Sequence, residues 1–354
     1  MNTRADAHSH CSIVPPYLLA RLAGLQAPEH HEAAAAARRA LVQLDPIHSA
    51  RAAAPRDPSR GAGTAVVLAL RRTISDARGS ESLPGEPARR EGDPATGDPA
   101  VDEAYAGLGA THELFSEVYG RASIDDAGLP LNATVHYGRQ YDNAFWDGSR
   151  MVFGDGDGEI FGRFTASLTV IGHELAHGFT QYTSNLRYQG QSGALNESIS
   201  DVFGVLVEQR ERGQSADAAS WLVGEGLFTD QVEGNALRSL KAPGTAYNDD
   251  ILGKDPQPAT MADFVDTTSD NGGVHINSGI PNQAFYIAAT RIGGYAWEHA
   301  GQVWYDAAAG GNVPADCDFA QFADITVNAA NARYGEGSPV PQAVEYGWRE
   351  VGVL

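Results

Sequence analysis

Two histidines four residues apart, His173 and His177, stand in the stretch TVIGHELAHGFTQY, with Glu174 directly after the first. In a helix, residues i and i+4 share one face about a turn apart. Both imidazoles can then reach a single ion with a carboxylate beside it, which is the H-E-x-x-H arrangement of two zinc ligands and a general base. Two ordinary core or solvated histidines would give the same spacing, so the reading needs a third ligand.

The segment SGALNESISDVFGVLVEQ (192–209) supplies one. Leu195, Ile199, Phe203 and Leu206 form an apolar stripe at helical spacing, while Glu197, Asp201 and Glu208 fall on another face. Carboxylates in so apolar a helix are unfavourable unless paired or coordinated. Glu197 can supply an oxygen ligand, and Asp201, one turn on, can accept the other ring N–H of a ligand histidine and fix its tautomer. Two histidines and one carboxylate leave the fourth position of a tetrahedral ion to water, the signature of a catalytic zinc.

The elements that must position these groups change character along the chain. Residues 1–45 read as helical and Ala-rich, with Pro15 and Pro16 where a helix starts. DPIHSARAAAPRDPSRGAG (45–63) is aperiodic, rich in Pro, Arg, Ala and Gly, and reads as an exposed linker open to proteolysis. TAVVLALRRTI, LNATVHYG and RMVFGDGDG read as strands, GSESLPGEPARREGDPATGDPA as turns, and VDEAYAGLGATHELFSEVYG as a helix. GDGDG (154–158) is a Gly/Asp turn between strands rather than an EF-hand loop, since Ile160 and Ala166 stand where that loop needs its glycine and glutamate. Beyond about residue 165 the spacing is mostly helical. His275 follows Gly272 and Gly273 and precedes a helix expected near Pro281, so a tight loop is expected to carry it.

Bulk properties narrow the function. The formal charge is −20, and residues 1–60 hold seven Lys/Arg against five Asp/Glu, so a slightly basic front faces an acidic body. That balance excludes nucleic acid and anionic membrane surfaces as partners. No apolar run has the length of a membrane span. The two cysteines, Cys11 and Cys317, make no disulfide framework. The first residues lack a basic start followed by an apolar stretch, so no signal peptide is expected, and the location expected is the cytoplasm or export by a non-Sec route.

The H-E-x-x-H motif, the nineteen residues from His177 to Glu197, and N-E-x-x-S-D together resemble the thermolysin-like zinc metallopeptidases. HYGRQYDNAFWDGSRMVFGDGDG, RYQGQSGALNESISDVFG, LRSL and DNGGVHINSGIPNQAFY carry the resemblance from about residue 70 to the end. The one-zinc aminopeptidases use a spacing one residue shorter and a G-x-M-E-N motif that is absent here. The implied fold is α+β: a propeptide and linker (1–60, cut within 45–66), a β-rich lobe ending in the zinc helix (61–178), and an α-helical lobe (179–354). The implied activity is neutral endopeptidase cleavage on the amino side of bulky hydrophobic residues. Glu174 would take a proton from a zinc-bound water, and Tyr188 and His275 would stabilise the oxyanion, with Asp270 orienting His275.

By the same resemblance Asn143 and Ala144 bind extended substrate and Arg238 grips a substrate carbonyl. Phe161, Phe164, Val170 and Leu237 line the specificity pocket, and Asn196 supports the second histidine. Of the family's double calcium site only Glu208 and Glu225 survive, with Thr169, Ser220 and Leu222 at other ligand positions. The double site is therefore expected to be lost or reduced to one weak ion. HSHCSIVPPYLLARLA resembles the short precursor segment of the protealysin-like branch. Cys11, Pro15, Pro16 and Tyr17 are its expected inhibitory residues, with Cys11 either a thiolate on zinc or a thiol packed beside the Pro-Pro-Tyr anchor. The partners implied are peptide and protein substrates, the propeptide in cis, and any proteinaceous inhibitor. A catalytically silent zinc-binding protein of the same fold is the competing reading.

Overall fold

In the computed structural model, which describes residues 12–52 and 69–354, with side chains over 12–43 and 69–354, five short strands form one sheet. They are β1 (Arg72–Asp76), β2 (Glu86–Arg90), β3 (Leu131–Val135), β4 (Ala144–Trp146) and β5 (Met151–Phe153). The order is β2-β1-β3-β5-β4. β1, β3 and β5 run parallel, and the two edges are antiparallel. β4 and β5 are buried throughout, as an apolar run packed on both faces requires. The outer edge of β4 is a row of backbone groups available to another chain segment, and it borders the cleft.

Helix α3 (Pro99–Glu113) covers the sheet. It starts at Asp98, whose carboxylate accepts from the Ala100 and Val101 N–H groups, and Pro99 follows at the first helical position. Two central helices come next, α4 (Leu168–Tyr182) and α5 (Gly190–Arg212). Thr169 to Thr180 of α4 and Ser192 to Gln209 of α5 are buried on every side. Glu197, Asp201 and Glu208 of α5 thus have no solvent face, and each must find a partner inside. The helices touch through glycines. A Cβ at Gly172 would lie 3.0 Å from the Gly204 Cα, and one at Gly204 would lie 2.6 Å from the Thr169 carbonyl oxygen. Only glycine at both positions allows backbones this close.

The C-terminal lobe adds α6 (Asp270–Asn277), α7 (Gly279–Ile292), α8 (Ala300–Ala309), α9 (Phe319–Tyr334) and α10 (Pro339–Glu350). Two small hairpins interrupt the helical half, β6 (Leu222–Val223) with β7 (Arg238–Ser239) and β8 (Asn248–Asp249) with β9 (Gly253–Lys254). In front of both lobes lie α1 (Pro16–Ala23), buried through Leu18, Leu19 and Leu22, and α2 (His31–Ala52).

Several expectations need correction. The turn-rich stretch after β1 contains strand β2, and β1 begins only at Arg72, with residues 64–68 outside the described part. Residues 45–52, read as linker, continue α2, whose Ala-rich composition favours helix on both sides of Pro46. GDGDG leads from β5 to an isolated bridge between Phe161 and Phe228, not to a paired strand. The Asp157 carboxylate caps that turn by accepting from the N–H groups of Glu159, Ile160 and Phe161.

His136 pins this lobe. Its Nδ1 bonds Asp155 at 2.8 Å and its Nε2 bonds Asp98 at 3.0 Å, tying the GDGDG turn to the start of α3. The Asp155 hydrogen bond, with Asp98 behind it, raises the imidazole from 6.5 to about 9 against the opposing effect of burial. A pKa raised on folding stabilises below the unfolded value and ceases to do so as pH climbs through the folded one. The stabilisation should therefore be whole at pH 6 and absent at pH 10. The pairs are part-exposed, which limits it to about 1 kcal/mol. The thermal midpoint of His136→Gln should lie below wild type at pH 6 and match it at pH 10. A gap independent of pH would refute the assignment.

Candidate active site

The two histidines of α4 point at α5. His173 Nδ1 donates to Asp201 at 2.8 Å, and His177 Nδ1 to Asn196 Oδ1 at 2.8 Å, with the Ser200 hydroxyl at 3.0 Å from the same nitrogen. Each ring has then spent its one N–H, and each Nε2 presents a lone pair. Those two nitrogens lie 3.0 Å apart, with Glu197 oxygens 3.6 and 3.7 Å from them. Two acceptors and a carboxylate converging in a fully buried space call for a cation at their centre. Tetrahedral zinc with bonds of about 2.1 Å separates its ligands by about 3.4 Å, close to these distances. His173, His177 and Glu197 are the one such cluster among the described residues.

Glu174, fully buried, turns to the sheet side, where one carboxylate oxygen accepts from the Trp146 N–H at 3.0 Å. The last residue of edge strand β4 thereby orients this carboxylate beside the ion site. Backbone donors have no sequence signature, so Trp146 was not foreseen. Tyr188 and His275 border the ion site beside Glu197. The Tyr188 hydroxyl donates to Glu197 and stands 3.2 Å from His275 Nε2. His275 lies on α6, directly after the tight turn expected of Gly272 and Gly273. Asp270, Asn271, Gly272 and Gly273 all take left-handed φ, and this turn swings the Asp270 carboxylate under the ring. Asp270 accepts from the His275 N–H at 2.9 Å and from its Nδ1 at 2.6 Å. Burial disfavours the imidazolium, yet Asp270, and beyond it Glu197, raise its pKa to about 9. The next helix starts at Gly279, two residues before Pro281.

Asp201 is the hub of the site. Besides His173 it holds Arg238, whose Nε lies 2.9 Å from Oδ2 and Nη2 2.8 Å from Oδ1, and it accepts from Asn282 Nδ2 at 2.9 Å. Burial alone would raise this carboxyl, but the Arg238 guanidinium and the His173 bond hold it well below the usual range. Asn282, eighty-one positions along the chain, was a partner that no local pattern could reveal.

The remaining guanidinium nitrogen, Nη1 of Arg238, donates to the carbonyl of Ile13 at 3.1 Å. The chain in front of α1 runs through the cleft. Ile13 N–H donates to Ala144 O at 3.2 Å, Val14 N–H to Asn143 Oδ1 at 3.0 Å, and Asn143 Nδ2 reaches Ser12 Oγ at 3.1 Å and Val14 O at 3.4 Å. Ser12, Ile13 and Val14 are buried. Ser12, Ile13 and Val14, which are not among the expected inhibitory residues, make these cleft contacts. Pro15 and Pro16 only open α1, and Tyr17 packs part-buried near Tyr247 and Asp255, while the segment just before them fills the cleft. Cys11 lies outside the described residues. Phe161, Phe164, Val170 and Leu237 are all buried, as is Ile13.

Models of the thermolysin metallopeptidase match nearly the whole chain beyond the front segment, the catalytic domain over residues 64–181 and the alpha-helical domain over 184–353. The chain belongs to the thermolysin metallopeptidase family. It is 46% identical to an extracellular metalloprotease of Pectobacterium carotovorum, over 97% of this chain and 96% of that one. It is 52% identical to protease PrtS of a Photorhabdus strain, over 80% and 76%. The solved precursor of protealysin, a metalloproteinase from Serratia proteamaculans, superposes with a TM-score of 0.87 at 48% identity, covering 97% of this chain and all of that one.

Glu208 and Glu225, the two carboxylates expected to remain of a calcium site, have another cation. Arg212 Nη2 lies 3.0 Å from the buried Glu208, and Nη1 lies 3.9 Å from Glu225. Thr169 spends its hydroxyl on the Gly224 N–H and on Ser167. A guanidinium between two carboxylates meets the charge requirement that a hard cation would otherwise meet.

Proposed function

We propose that this chain is the self-inhibited precursor of a zinc-dependent neutral endopeptidase, cleaving peptides on the amino side of bulky hydrophobic residues. The observation that carries the reading is the convergence of His173, His177 and Glu197 with Glu174 beside them, and with the chain's own residues 12–14 laid along β4. His173, His177 and Glu197 would hold zinc, which would supply a Lewis acid for the scissile carbonyl and the attacking water. Glu174, aimed by Trp146, takes the water's proton and passes it to the leaving amine. Tyr188 and the protonated His275 donate to the developing oxyanion, and Asp270 keeps His275 charged and aimed. Arg238 receives the substrate carbonyl that Ile13 supplies in the precursor, and Asn143 with Ala144 holds extended substrate as an added strand. Phe161, Phe164, Val170 and Leu237 form the specificity pocket, and their apolar character supports the preference.

The front segment inhibits by occupying these same groups. A proteinaceous inhibitor would compete for them too. The extracellular name of the Pectobacterium relative favours export.

The test uses a peptide blocked at both ends with one internal Phe or Leu. The activated enzyme should cut on the amino side of that residue, lose activity to a zinc chelator, and regain it with one equivalent of zinc. A protein that binds zinc and cuts nothing would be the catalytically silent relative, and cleavage confined to unblocked peptides would make it an exopeptidase.

A further inference from the structure

The front segment is anchored in the cleft by its hydrogen bonds. Ile13 N–H donates to Ala144 O, and the Asn143 side chain holds Ser12 and Val14 on either side of it. The Ile13 carbonyl is fixed by Arg238. The peptide bond on the other side of Ile13, Ser12–Ile13, thus has its N–H on Ala144, two residues before the Trp146 whose N–H holds Glu174. Ile13 itself is apolar and completely buried.

We infer that the front segment is held as a substrate rather than as an inert plug, and that the active site hydrolyses its own Ser12–Ile13 bond. This rests on the endopeptidase reading above. One water adds to the Ser12 carbonyl carbon while Glu174 takes its proton. That proton goes to the Ile13 nitrogen, the C–N bond breaks, and the water's second proton passes from the new acid to the freed amine, leaving a Ser12 carboxylate and an Ile13 ammonium group. No co-reactant is required.

The cut alone does not free the cleft. Residues from Ile13 onward stay attached to both lobes through contacts away from the reacting bond. Arg21 donates to the carbonyls of Ile251 at 2.7 Å and Asp250 at 2.8 Å, and His30 pairs with Glu159 at 2.5 Å. The product remains covalently joined to the enzyme through α2, so its effective concentration stays high. Removal of residues 1–12 is thus a first event, and a second cut within 45–66 is needed for activation.

Intact-mass measurement of the zinc-loaded full chain over time tests this, with Glu174→Ala as the control. Wild type should first yield a species beginning at Ile13, before any loss within 45–66, and the variant should stay whole. Ile13→Leu should preserve the cut, and Ile13→Asp should slow it at least about 10-fold, the order expected when a charge meets an apolar pocket. A second readout is independent of turnover. In the zinc-stripped full chain, amide exchange over residues 13–25 should be at least about 10-fold slower in wild type than in Ile13→Asp, as loss of a seated anchor implies. A Ser12–Ile13 bond that stays intact in wild type, or breaks equally in Glu174→Ala, overturns the inference. If that same wild-type sample cleaves the blocked peptide after limited trypsin treatment, the endopeptidase reading survives alone. If it cleaves nothing, both fall.

Discussion

Glu174→Gln should fold, bind zinc and cleave peptides about 10²–10⁴-fold more slowly than wild type, the range typical of a lost general acid–base group. The variant isolates the proton transfer because the amide oxygen of glutamine can still accept the Trp146 N–H that the carboxylate accepts at 3.0 Å. Shape and burial are nearly conserved, and His173, His177 and Glu197 are untouched. The loss should appear in kcat with KM little changed, since the substrate contacts proposed above run through Asn143, Ala144 and Arg238. Zinc content and thermal midpoint, measured on the same preparation, separate chemistry from folding. A variant with activity within a few-fold of wild type would remove Glu174 from the reaction.

The largest effect on stability should come from Asp201. Asp201→Ala leaves Arg238 a fully buried guanidinium without its carboxylate, and breaking a buried pair from one side costs about 3–5 kcal/mol. The same change takes the acceptor from His173 Nδ1, which should weaken zinc binding by about 10–100-fold. Arg238→Met should destabilise by a similar amount, while the double variant should cost much less than the sum of the two, because no lone charge is then buried. Urea denaturation of the zinc-free proteins gives the three differences, and zinc titration gives the affinity. Additive losses would show that the pair acts separately rather than as one unit.

What could be read in advance follows from where the information resides. His173, His177, Glu197 and Asp201 lie on two helices, and helical spacing converts sequence offsets directly into shared faces. The β-rich half followed by a helical half was visible in the same way, through periodicity. Strand β2 was not. EPARR is exposed along nearly its whole length, so no alternation of apolar and polar residues marks it. The cleft contacts of residues 12–14 were also illegible, because they are made largely by main-chain groups that every residue type carries. Proline drew attention to positions 15 and 16, but it marks the start of α1, and the segment that occupies the site precedes it. Asn282 and Trp146 reach the site from distant elements, and only the fold brings them there.

The glycine contact between α4 and α5 bears on how this enzyme could be engineered. Helix-interior glycines are usual targets for stabilisation by exchange to alanine, which gains up to about 1 kcal/mol where space allows. At Gly172 and Gly204 the added methyl would meet backbone at 3.0 and 2.6 Å and would act as a wedge. The helices it forced apart carry the two histidines on one side and the glutamate on the other. A thermostabilised variant made by indiscriminate exchange would lose its metal geometry while keeping its fold, so both positions should be exempted from any such library.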